Sequence, residues 1–134
     1  MEEKWYLKPT KNINRMLRIR NDLSIGHITS NFKNLLIVKH QYHVADDIMF
    51  PDPSCLAFFT AFEQNYLEDL EKENKLILSA VDIFEGTIRY FIYTNNPQES
   101  VYDCVAFLKS SSLYKCDFEI TLNDSGNWIK ELLF

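Results

Sequence analysis

Apolar and polar positions change their period several times along the chain, and each change marks an element. Trp5-Tyr6-Leu7 opens a short β-prone stretch that Pro9 closes. Residues 13–20 alternate. Ile13, Leu17 and Ile19 share one face with Arg15, while Arg18 and Arg20 share the other, as in a half-buried strand. On this reading Arg18 and Arg20 form a solvent face that blunts an edge strand. Asn21-Asp22 and Gly26 mark a turn region. Leu35-Leu36-Ile37-Val38 then starts a nearly continuous apolar strand, to about Val44, of the kind covered on both faces. Residues 45–53, with two prolines and three aspartates, read as a loop.

After Ser54, a good N-cap, Phe58, Phe59, Phe62, Tyr66 and Leu70 recur at helical spacing. Glu68, Asp69, Glu71 and Lys72 fall on the other side, so an amphipathic helix is predicted to about Glu73. A strand follows over 76–84. Glu85-Gly86 suits a tight turn, and TIRYFIYT over 87–94 is the returning strand, rich in β-branched and aromatic residues. A second helix is predicted over about 98–110, with Val101, Cys104, Val105 and Leu108 inward. Cys116, Phe118, Ile120 and Leu122 alternate with Asp117, Glu119 and Thr121, which predicts a further half-buried strand. Trp128 lies in a short terminal helix or tail.

From residue 35 the order is strand, helix, strand, strand, helix, strand. The predicted class is therefore α+β, a ferredoxin-like βαββαβ core with additional N-terminal strands, its antiparallel sheet carrying two helices on one face. The predicted core is Phe59, Phe62, Tyr66, Leu70, Ile37, Ile83, Phe91, Val105, Phe118 and Ile120. With 134 residues and no linker or repeat, residues 1–134 read as a single domain.

Composition narrows the class. Hydrophobic residues are 46% and charged ones 25%, which is globular rather than disordered. No apolar run reaches the roughly 20 residues of a membrane helix, and nothing at the N-terminus resembles a secretory signal. The expectation is a cytoplasmic protein without a membrane partner. Cys55, Cys104 and Cys116 are odd in number and lack C-x-x-C spacing, so they read as buried thiols of a reducing compartment.

The net charge of −5 is unevenly spread. Residues 1–45 hold eight basic and three acidic side chains, and residues 46–85 hold two basic and ten acidic, so the middle of the chain carries −8. An acidic balance repels nucleic acid and attracts basic proteins. The plainer reading of the same charges is a solvated helix face that keeps the protein in solution.

Candidate chemistry is sparse. His40 and His43 lie three apart on a predicted strand, hence on opposite faces, and cannot share a metal there. Asp46, Asp47 and Asp52 lack the alternation of a calcium loop. No nucleophile elbow or phosphate loop occurs. Tyr90-Phe91-Ile92-Tyr93 lacks the glycines and basic opening of an RNA-binding strand, and two-sided burial explains it better. Glu63, the one acid inside the apolar part of the first helix, is expected to pair with an arginine. No cofactor is expected.

Six segments stand out: the aromatic pair Trp5-Tyr6, the arginine-bearing Leu17-Arg18-Ile19-Arg20-Asn21, Phe62-Glu63, Arg89-Tyr90-Phe91-Ile92-Tyr93, Phe118-Glu119-Ile120 and Trp128. Together they resemble a bacterial family of small domains, domain-of-unknown-function family 695. The aromatic-loaded first helix and a DDIMFPDP loop without glycine depart from the pattern. The resemblance implies a compact α+β domain and no particular activity.

In general character the chain also resembles immunity proteins, small acidic domains that neutralise polymorphic or contact-dependent toxins, many of them basic nucleases. The expectation is a non-enzymatic protein-binding module of this kind, acting on a cognate basic toxin domain. Its expected surface is Asp46, Asp47, Met49, Phe50, Asp52, Glu68, Asp69, Glu71 and Glu73. The alternatives are a regulatory or accessory domain binding another cellular protein, and a small hydrolase or nucleotide-binding enzyme using Glu63 and Arg89.

Overall fold

A computed structural model of the chain describes residues 5–8, 15–20, 26, 28, 32–41, 53–84, 86–109, 116–124 and 127–128, the side chains of 53–56 excepted. Its strands are β1 (Trp5–Lys8), β2 (Met16–Arg20), β3 (Asn34–Gln41), β4 (Leu76–Phe84), β5 (Thr87–Thr94) and β6 (Cys116–Thr121). They form one sheet in the order β1-β2-β4-β5-β3-β6, and every neighbouring pair is antiparallel. Two helices join them: α1, over 53–72, between β3 and β4, and α2 (Pro97–Leu108) between β5 and β6.

Helix α1 begins at Pro53, so Ser54 lies inside its first turn and does not cap it. Proline is tolerated there because the first N–H groups have no partner within the helix. The middle of α1, Phe62–Leu67, is a π-helix, in which the N–H of Glu68 bonds to the carbonyl of Glu63, five residues back. Phe62 and Glu63, adjacent in sequence, are both buried there. Helix α2 starts at Pro97, within a residue of its predicted bound. Asn96 caps it, its side chain accepting from the Glu99 N–H at 3.1 Å and donating back to the Glu99 carboxylate at 3.2 Å. At the β4–β5 turn Gly86 has φ 81°, a left-handed conformation that favours glycine.

Both helices bury their apolar residues in one cluster with the same side of the sheet. Phe59, Phe62, Leu67 and Leu70 of α1 and Cys104 and Leu108 of α2 meet Leu36, Val38, Leu78, Val81, Tyr90 and Ile92. Phe62 is fully buried, stacked with Tyr66 and edge-on to Tyr90. The opposite side of the sheet is covered as well. Leu17, Ile19, Leu35, Ile77, Phe91 and Tyr93 pack with Ile28 and Phe32, and Trp128 stacks on Phe91 at 3.8 Å. Tyr93 donates to Asp124 at 2.7 Å, and Asp124 also accepts the Trp128 N–H at 3.2 Å, which fastens this cover in place.

Of the predicted core, Phe59, Phe62, Leu70, Ile83 and Phe91 are buried, and Ile37, Tyr66, Val105 and Phe118 are half-buried. Ile120 is a correction: it is 42% exposed. Strand β6 pairs with β3 alone among the described residues, and only its first half lies under the helices, where Cys116 and Phe118 pack against the core. Alternation marks a pleated strand but not how far along it the cover extends.

Candidate functional site

The acidic surface expected for a partner divides in two. Asp46, Asp47, Met49, Phe50 and Asp52 lie outside the described residues. Glu68, Asp69, Glu71 and Glu73 end α1 and begin the turn after it. Asp69 and Glu73 are exposed and Glu68 is half-buried. Glu73 sits 3.4 Å from the exposed Lys75, a pair too wet to hold the carboxylate tightly. Glu71 is engaged within the chain: it bonds Arg20 at 2.7 Å and accepts the Leu78 N–H at 3.3 Å.

That bond belongs to a ladder beneath α1. Arg18 makes a two-point contact with Glu63, at 2.7 and 3.1 Å, so the expected arginine partner of Glu63 is found. Arg20 also donates to the Leu78 carbonyl at 3.2 Å. Arg18 and Arg20 therefore do not form the solvent face that their alternation suggested. β2 is an inner strand, and its arginine-bearing side turns under the helix, leaving Arg20 only 8% exposed. Trp5 stands opposite Arg20 in the β1–β2 register and lies over both guanidiniums, at 5.0 Å from Arg18 and 5.6 Å from Arg20. No local signal in the sequence announces this arrangement beyond two arginines at strand spacing and an acid inside a helix.

A second charged group sits on the other side of the sheet. Asp82, 4% exposed, holds Arg15 at 2.9 and 3.1 Å and lies 3.8 Å from Arg89, its neighbour in the β4–β5 register. Arg89 alternates with Ile88 and Tyr90, which face the helices, so Glu63 and Arg89 lie on opposite sides of the sheet. The pair that a hydrolase would have shared cannot meet.

Four groups set in or against the core are held in their neutral forms. Burial pushes the Cys104 and Cys116 thiols up to about 12. Burial, and then the charge of Glu63, holds the Tyr90 phenol well above its usual value. Burial lowers His40, whose Nδ1 lies 2.6 Å from the Gln41 carbonyl, so its imidazole is neutral at pH 7. Cavities flank Glu63 at about 10 and 30 Å³, and a polar cleft near Lys75, Asn95 and Glu99 measures about 180 Å³. Among the described residues no group of three metal-binding side chains occurs, and no helix is long and apolar enough to cross a membrane.

Fold and charge together define a small α+β domain with a sheet covered on both sides and an acidic helix end. The chain matches the model of a family of unknown function, DUF695, over residues 4–134, and it belongs to that family. No curated protein and no solved structure matches it.

Proposed function

We propose that this protein is a protein-binding module, and specifically an immunity protein that neutralises a cognate basic toxin domain by occupying it. The observation that carries the reading is the acid content of residues 46–85, ten acidic side chains against two basic ones: Glu63, Glu71 and Asp82 are taken up by Arg18, Arg20 and Arg15, whereas Asp69 and Glu73 at the end of α1 stand in solvent. Acidic side chains speed the encounter with a basic surface, and apolar anchors such as Met49 and Phe50 then hold the complex. The antiparallel order β4-β5-β3-β6, with a helix in each crossover, supports a ferredoxin-like core as the scaffold. Such a protein would act in the cytoplasm, where the toxin would otherwise reach its target.

The test is stopped-flow binding to the product of an adjacent toxin gene, with toxin activity scored in parallel. Charge reversal at Asp46, Asp47, Asp52, Asp69 and Glu73 slows association about tenfold or more at low salt and flattens its salt dependence. Phe50→Ala speeds dissociation instead. Association that is unchanged across salt concentrations overturns the acidic-face mechanism. Absence of binding favours a regulatory or accessory domain.

A further inference from the structure

The two ends of the sheet are protected differently. Among the described residues β1 and β6 each pair on one side only. An open edge presents unpaired N–H and C=O groups, and proteins blunt such edges with short strands, lysine and proline. β1 has all three: it is four residues long, ends on Lys8, and is followed in sequence by Pro9. β6 is longer, and its own residues include neither lysine nor proline. Its six residues read Cys-Asp-Phe-Glu-Ile-Thr, and its far end is apolar and open, with Ile120 42% exposed and Leu122, in the turn just past the strand, 66% exposed. The other side of the strand is acidic. Asp117 is exposed, and Glu119, 54% exposed, reaches Lys39 at 2.7 Å.

We propose that the β6 edge docks an extended segment of a partner protein, one that alternates basic and apolar side chains and adds a further strand to the sheet. The inference rests on the protein-binding reading and gives the partner its chemistry. In strand addition the main chain supplies affinity and alternate side chains supply selectivity. Here basic side chains meet Asp117 and Glu119, while apolar ones cover Ile120 and Leu122. A second copy of this chain fits worse. Antiparallel pairing of β6 with itself gathers Asp117 and Glu119 of both copies on one side, where like charges oppose each other. Pairing β6 with β1 of the next copy leaves an edge open at each end and does not close.

The full chain is titrated with a synthetic peptide alternating lysine and valine, and with a matched glutamate–valine peptide, by fluorescence anisotropy. Amide hydrogen exchange is followed in parallel. The basic peptide binds and, at saturation, slows exchange within Cys116–Thr121 about tenfold or more, leaving β1 unchanged. The double variant D117K/E119K shifts the preference between the two peptides about tenfold toward the acidic one. Ile120→Asp weakens binding with the thermal midpoint nearly unchanged, and Leu7→Asp at the other edge has no effect. Equal binding of both peptides, protection confined to β1, unchanged exchange in β6, or a dimer that depends on β6 overturns the proposal. Capture of the toxin with β6 exchange unaltered removes strand docking and keeps the immunity reading. Peptide docking at β6 without toxin binding does the reverse.

Discussion

Each side of this sheet carries a charged group, and the two are built in opposite senses. Under α1 the most deeply buried member is a base: the Arg20 side chain is 4% exposed and its partner Glu71 21%. On the far side it is an acid: the Asp82 side chain is 6% exposed and its partner Arg15 36%. The difference matters because the two charges can escape differently. A buried arginine cannot shed its proton, whereas a stranded aspartate can take one up. Arg20 is also surrounded, by Glu71, the Leu78 carbonyl and the Trp5 ring, while Asp82 has a second arginine, Arg89, in reserve. The helix side is therefore the brittle one and the far side the tolerant one.

The largest effect expected sets the scale for that contrast. Phe62→Ala, which empties the aromatic contacts with Tyr66, Tyr90 and Phe107, lowers stability by about 3–5 kcal/mol in denaturant melts. A loss below about 1 kcal/mol would mean that the helix is not the keystone of this side. Glu71→Ala comes next, at about 3 kcal/mol, because it takes the carboxylate away from a buried guanidinium and from the Leu78 N–H. Arg15→Ala costs less, about 1 kcal/mol, since Arg15 is part-exposed and solvent-screened and Arg89 remains beside Asp82. Equal losses for Glu71→Ala and Arg15→Ala would erase the asymmetry.

The smallest effect is in the response to acid. His40 sits against Phe58 and Phe59, and burial holds its imidazole below the ordinary 6.5. The unfolded chain binds a proton near pH 6.5 and the folded chain only at lower pH, so His40 costs nothing well above pH 6.5. Its destabilising effect grows as pH falls below that value and levels off beneath the folded one. An NMR titration finds the His40 ring changing state below pH 6.5. In melts between pH 7 and pH 5, His40→Gln loses less stability than the parent chain. A ring titrating at or above 6.5 would contradict the buried placement.

Much of this architecture is legible in the chain itself. Alternation over 13–20, the apolar run from Leu35, the aromatic spacing from Phe58 and the turn at Gly86 mark strands, helix and hairpin near their observed bounds. These are local signals, set by the two-residue period of a strand and the near-four of a helix. The pairing of Glu63 with an arginine is legible too, because an acid among apolar residues needs a partner wherever it lies. Which arginine answers is not. Arg18 and Glu63 are 45 residues apart, Arg20 and Glu71 51, and Arg15 and Asp82 67.

Such partners are chosen when strands take their places. Adding β1 beyond β2 moved β2 inward and turned Arg18 and Arg20 from an outer face into a roofed one. The same ordering put β6 at the edge and left Ile120 in solvent despite its place in a regular alternation. The acid content of the middle of the chain can be counted from its residues alone. That Glu71 is occupied while Asp69 and Glu73 stand free of the core follows only once α1 is laid across the sheet, because burial depends on what packs above a residue and not on the residue itself.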